Sequence, residues 1–204
     1  MGEIYQYVIR PVDLANSKYT LTEIRTIQDW VVRKKLLGLK GVADVSGYGG
    51  FTKEYQAKIK PERLKALGIT VEELYESLAR GNSNTGGAYI EKDNKAFTIR
   101  GIGLAKNLED IGNTVIETRN GVPVLVKDVA DVEYGHALRY GALTMNGQGD
   151  VVGGSILMMK GANGNQVIDG IQQRMKEIQK DLPEGLVIEP FVDRSKLVNA
   201  AIRT

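Results

Sequence analysis

Two segments of this chain carry a helix's period with strands at both ends, and they stand near opposite termini in mirrored order. The first, "TLTEIRTIQDWVVRKKLLGLKG" at 20–41, opens on a capping box of Thr20 with Glu23. It places Ile24, Ile27, Trp30 and Val31 on one face and closes at Gly38 and Gly41. The strand-like "GEIYQYVI" precedes it, and "GVADV" and "EYQAKIK" follow. The second, "NQVIDGIQQRMKEIQKDL", puts Ile168, Ile171, Met175, Ile178 and Leu182 on one stripe. Here "ALTMNG" and "VVGGSILMMKG" come before and "LVIEPFV" after. So β-β-α-β answers β-α-β-β. An apolar helix stripe and an apolar sheet face must each be buried against something, and together the two chain ends predict one α/β sandwich.

Between them the texture changes. Pro61 opens a short helical turn, and Thr70 with Glu73 makes a second capping box for "VEELYESLARGN". From Asn82 to Gly135 short strands are broken by turn residues: "GAYIE" and "AFTIRG" flank "KDNK", and "TVIET" meets "VPVLV" across Arg119, Asn120 and Gly121. The expected class is α+β, a discontinuous β-α-β / β-α-β sandwich with an inserted β-rich unit. The tail "DRSKLVNAAIRT" predicts a helix with Asp193 as N-cap, and the chain is expected to continue in a longer parent.

The stretch "GVADVSGYGG" holds four glycines in ten residues, which raises the question of a phosphate loop. Such a loop needs a helix N-terminus after the glycines, where free N–H groups meet the positive end of the helix dipole. Here Tyr55, Ala57 and Ile59 alternate with Gln56, Lys58 and Lys60, a strand's period, and neither G-x-x-x-x-G-K-[ST] nor G-x-G-x-x-G is present. The glycines make a turn between strands.

The 27 basic and 25 acidic residues are scattered, which gives no footprint for nucleic acid. With no cysteine there are no disulfides or thiolate metal sites, which suits an extracytoplasmic compartment. "MGEIYQYVIR" predicts a strand and lacks the basic and apolar regions of a signal peptide. No apolar run reaches the length of a membrane span, so a soluble globular piece is expected. No Ser-His-Asp pattern, H-E-x-x-H or hydrolase-like carboxylate pair occurs, and neither an enzyme nor a resident cofactor is expected.

Several segments together resemble the heavy-metal efflux subfamily of resistance-nodulation-division (RND) transporters. They are "GEIYQYVI", "IRTIQDWVVRKKLLGLKGVADVSGYGGFTKEYQAKIKPERLKALGIT", "NTGGAYIE", "NGVPVLVKDVADVEYG", "LTMNGQGDVVGGSILMMKGAN" and "LPEGLVIEPFVDRSKLVNAAI". The resemblance implies that 1–54 and 138–204 form the second porter subdomain of the N-terminal half, with 55–137 inserted as the docking subdomain. It implies the periplasmic portion of a Gram-negative inner-membrane pump that is proton-driven and exports metal cations. The whole pump would be a homotrimer working with a periplasmic adaptor (membrane fusion) protein and an outer-membrane channel.

Metal candidates follow from the same resemblance. Acidic residues near Glu3 and Asp44 of the second porter subdomain contribute to a proximal metal site in zinc-exporting relatives, and Glu3 matches that pattern better. A solvated strand face explains either residue as well. Met145, Met158 and Met159 invite a soft-metal site, but adjacent Met158 and Met159 on a strand face opposite ways, and core packing is the simpler role. His136, the sole histidine, cannot hold a metal alone and is expected in a solvated loop. Two alternatives stay open. One is a drug-exporting relative, against which Glu3 argues as a buried, unpaired carboxylate on the pocket strand. The other is a free-standing periplasmic metal-binding or interaction module.

Overall fold

The computed structural model describes residues 2–13, 16–93, 95–147 and 149–193. In chain order β1 (Gly2–Pro11) is followed by α1 (Leu21–Ile27), a π-helical turn (Gln28–Val32), α2 (Arg33–Leu37), β2 (Val42–Tyr48) and β3 (Lys53–Ile59). Next come α3 (Pro61–Leu67), α4 (Val71–Gly81), the hairpin β4 (Thr85–Lys92) and β5 (Lys95–Gly101), and α5 (Leu108–Gly112). A second hairpin of β6 (Val115–Arg119) and β7 (Val122–Leu125) leads through α6 (Val126–Val129) to β8 (Ala130–His136). The chain ends with β9 (Leu143–Thr144), β10 (Asp150–Met158), α7 (Gly164–Asp181) and β11 (Leu186–Asp193). The fold is mixed α and β. It divides into two compact units, Met1–Lys53 with His136–Thr204, and Glu54–Gly135.

The first unit is built on an antiparallel sheet in the order β11-β1-β10-β2, with β9 paired to β10. One face meets the helices. Tyr5, Tyr7 and Ile9 of β1, Val45 of β2, and Val152 and Ile156 of β10 pack with Ile24, Val32 and Leu36 and with Val167, Ile168, Ile171, Met175 and Ile178 of α7. These are the helix stripes read from the sequence, with one correction. Trp30 is 65 % exposed, with the Lys34 ammonium 4.3 Å above its ring, and the buried face runs Ile24, Gln28, Val32, Leu36. Six residues beyond Ile24, Trp30 stands about 120° off its face on any α-helix, and the π turn, in which the Arg33 N–H reaches back to the Gln28 carbonyl, brings Val32 inward where Val31 was expected. Each π turn takes in one residue more than an α turn, so the inward stripe moves on by one position.

The second unit holds three two-stranded pairings, β3 with β8, β4 with β5 and β6 with β7. Its core gathers Leu64, Ile69, Leu74, Ile116, Val124, Val126, Val129 and Ala130. The β6–β7 turn is the one that Asn-Gly specifies, since Asn120 and Gly121 both hold positive φ, at 49° and 81°. Both capping boxes form: Thr20 with Glu23, and Thr70 with Glu73.

Other expectations change. The strand expected over "VPVLV" ends at Leu125, and Val126–Val129 turns helical with Val126 and Val129 fully buried. The strand expected in "ALTMNG" is only Leu143–Thr144. Asp193 closes β11, and the helix expected over 194–204 lies outside the described residues. The glycine stretch is a tight turn with φ of 71° at Gly49 and 64° at Gly50. A Cβ on Gly49 would stand 2.1 Å from the Val151 carbonyl oxygen, so both the backbone angle and the space demand glycine.

Candidate functional site

The sheet face turned away from the helices carries the polar residues of the first unit. Strand pairing sets them in rows. Leu157 of β10 lies in register with Glu3 of β1 on one side and with Asp44 of β2 on the other. The next row is Gln6, Ser155 and Ser46, and the one after is Val8, Gly153 and Tyr48. Bulges in β1 between Glu3 and Tyr5 and in β2 between Asp44 and Val42 leave the rows intact. Two strand spacings separate Glu3 from Asp44, about 10 Å between Cα atoms. The two sequence candidates therefore share one row, with a leucine between them.

Each carboxylate is held by a different device. Glu3 Oε1 accepts from Gln6 Nε2 at 2.6 Å and from the hydroxyl of Ser155, a residue 1 % exposed. Glu3 itself is only partly buried. Glu3 is thus neither fully buried nor unpaired, contrary to the expectation from sequence, and it does not speak against a drug-type pocket. Asp44 Oδ1 accepts from Arg33 Nη2 at 3.0 Å, while Arg33 Nε donates to the Val45 carbonyl at 2.8 Å. The Val45 backbone N–H and then Arg33 hold the Asp44 carboxyl below its usual range, so it is an anion at neutral pH. Neither Ser155 nor Arg33 was legible beforehand: the first lies 152 residues from Glu3 and the second reaches Asp44 from a helix.

The other candidates do not join this row. His136 ends β8, is exposed, and meets the Phe51 ring at a tilt of 44° with centroids 4.6 Å apart. Met158 is partly buried against the helix-side core and Met159 is 50 % exposed beyond the strand. Among the described residues no group of three or more His, Cys, Asp or Glu is placed to hold a metal ion. The two rows that hold Glu3, Asp44, Gln6, Ser155 and Ser46 offer oxygen: two carboxylates, two serine hydroxyls and an amide, while Glu189 on the same face is paired with Arg10. A separate cleft of ≈370 Å³ lies at the glycine turn, lined among others by Tyr48, Phe51, Arg139 and Tyr140.

Residues 2–204 match the family described as AcrB/AcrD/AcrF. The chain belongs to the AcrB/AcrD/AcrF family. Within this family it is 36 % identical over 208 residues, all of the chain, to the cobalt-zinc-cadmium resistance protein CzcA of Cupriavidus metallidurans (strain ATCC 43123 / DSM 2839 / NBRC 102507 / CH34), covering 20 % of that protein. It is also 36 % identical over 203 residues to the cation efflux system protein CusA of Escherichia coli (strain K12), which spans 99 % of the chain and 19 % of the relative. An X-ray structure of a heavy metal efflux pump superposes with a TM-score of 0.83 at 31 % identity over the whole chain, covering 20 % of that pump. The resemblance to heavy-metal RND transporters is borne out. The chain spans about one fifth of the length of these family members. Among its described residues no helix is long and apolar enough to cross a membrane.

Proposed function

We propose that this chain is the periplasmic porter and docking part of a proton-driven RND pump that exports heavy-metal cations. The likeness to a heavy metal efflux pump over the whole chain, at a TM-score of 0.83, is the observation that carries this reading. On it, the unit formed by both chain ends is the second porter subdomain of the N-terminal half, and the β-rich unit at 54–135 is the docking subdomain. The parent sits in the inner membrane of a Gram-negative bacterium. It works as a homotrimer with a periplasmic adaptor and an outer-membrane channel, and its cargo is a metal cation rather than a substrate to be chemically changed.

In this reading the row Glu3, Leu157, Asp44 faces the cation's path. Its donors are oxygens, which suit hard or borderline divalent ions better than soft monovalent ones. Two carboxylates do not complete a coordination shell, so other parts of the parent supply the rest. The isolated chain should bind divalent cations weakly, on the order of millimolar, as sparse all-oxygen sites do.

The test is made in the full-length parent expressed in a metal-sensitive Gram-negative host. Glu3→Ala and Asp44→Ala should each lower tolerance to divalent metals without lowering the amount of pump in the membrane. Unchanged metal tolerance in both variants removes the row from the cation path. A parent that protects against apolar drugs and not against metals makes the chain part of a drug-type exporter. A reading frame that ends near Thr204 leaves a free-standing periplasmic module.

A further inference from the structure

We infer that Arg33 is a resident counter-ion which an incoming cation must displace from Asp44, an inference that rests on the placing of Asp44 beside the cation's path. Arg33 opens α2, on the helix side of the sheet, while Asp44 belongs to the opposite face of β2. The two meet because β2 is the last strand of the order β11-β1-β10-β2, so a long side chain can pass around its outer edge. The same edge leaves main-chain carbonyls without a neighbouring strand. Arg33 Nε satisfies one of them, that of Val45, at 2.8 Å.

The guanidinium thus makes two bonds of different kinds. The Nε bond to the Val45 carbonyl anchors the group at the strand edge whatever Asp44 does. The Nη2 bond to Asp44 Oδ1, at 3.0 Å, neutralises the carboxylate. Their side chains are 42 % and 49 % exposed, so water screens the pair and the bond is readily exchanged. A divalent ion brings twice the charge and approaches a carboxylate oxygen to about 2.0–2.2 Å, closer than a guanidinium nitrogen can. It can therefore take the oxygen that Nη2 holds, while the anchor at Val45 keeps the displaced positive charge nearby.

Two effects on binding follow, and both weaken it. The cation must first break the Arg33 bond, and once bound it feels the retained charge. A carrier site has to release what it captures, and a resident cation that returns to the carboxylate favours release. The Glu3 carboxylate, in the same row, accepts from Gln6 and Ser155.

The experiment is a CoCl₂ titration of this chain followed by ¹H–¹⁵N NMR, in the wild type and in R33Q, D44N, E3Q and R33Q/D44N. R33Q should tighten Co²⁺ binding roughly two- to fivefold, the range set by an exposed ion pair, and R33K should fall between R33Q and the wild type. The gain should vanish in R33Q/D44N. If R33Q loses the fold, R33M keeps the aliphatic stem along β2 and answers the same question. An R33Q affinity equal to or weaker than wild type, with D44N and E3Q both weakened, overturns the role of Arg33 and leaves the row standing. Affinity unchanged in both D44N and E3Q overturns the row and Arg33 together.

Discussion

The Tyr7 hydroxyl donates to Gln28 Oε1 at 2.9 Å in the interior of the first unit, where Tyr7 is 1 % exposed and Gln28 fully buried. Tyr7 stands on the central strand β1 and Gln28 opens the π turn, so one bond ties the sheet to the irregular point of the helix. Burial pushes the Tyr7 phenol well above its ordinary pKa, which keeps it a neutral donor. Among the described residues Gln28 Nε2 has no hydrogen-bond partner. Tyr7→Phe strands a second buried polar atom on Gln28 and should cost about 1–3 kcal/mol in urea unfolding. Adding Gln28→Leu removes both stranded atoms and should recover most of that loss. A double variant as unstable as the sum of the singles would show that the two residues act independently.

Glycine is required at Gly49 and is only convenient at Gly147. Both hold positive φ, 71° and 69°, but a Cβ at Gly49 would meet the Val151 carbonyl oxygen at 2.1 Å, while among the described residues nothing lies within 4 Å of one at Gly147. Gly147→Ala should cost about 1 kcal/mol, the strain of the backbone angle alone. Gly49→Ala should cost several times more, because backbone has to move. Equal melting temperatures for the two variants would contradict the close packing of the turn on β10.

The capping box at α4 makes a pH-dependent contribution with a definite sign. The Thr70 backbone N–H and then its hydroxyl hold the Glu73 carboxyl below its ordinary value of 4.5. With the folded value depressed, the stabilisation is complete above the unfolded value and is lost as pH falls through the folded one. An NMR titration should place Glu73 below 4.5. Thr70→Ala should return it toward the ordinary range and destabilise the second unit by about 1 kcal/mol. A Glu73 titration unmoved by Thr70→Ala would contradict the reciprocal cap.

The β4–β5 hairpin shows large apolar side chains to solvent, with Tyr89 63 %, Ile90 56 % and Phe97 54 % exposed. Ile90 and Phe97 pair across the hairpin on one face, with Tyr89 on the other, and an exposed apolar pair of this kind marks a surface that partners cover. In the proposed reading most of the pump's contacts lie outside this chain, and the chain should run as a monomer in light scattering at micromolar concentration. A tight trimer under those conditions would mean that the contacts holding the parent together lie within this fifth of it.

Neighbouring residues determined much of what was legible in the sequence. The apolar stripe of α7, the capping boxes at Thr20 and Thr70 and the Asn120-Gly121 turn are interactions over a few residues, so spacing alone specifies them. The family was legible as well, from the order of motifs along almost the whole chain. Tertiary structure decided the rest. Periodicity assumes a uniform α-helix, so it set Val31 inward, whereas the π turn with the buried Tyr7–Gln28 bond sets Val32 there instead. Likewise the sequence named Glu3 and Asp44, but strand order and register brought both to Leu157 and gave them Ser155 and Arg33 as partners. Register depends on hydrogen bonds between strands more than a hundred residues apart and on where each strand bulges, and no local pattern of residues encodes that.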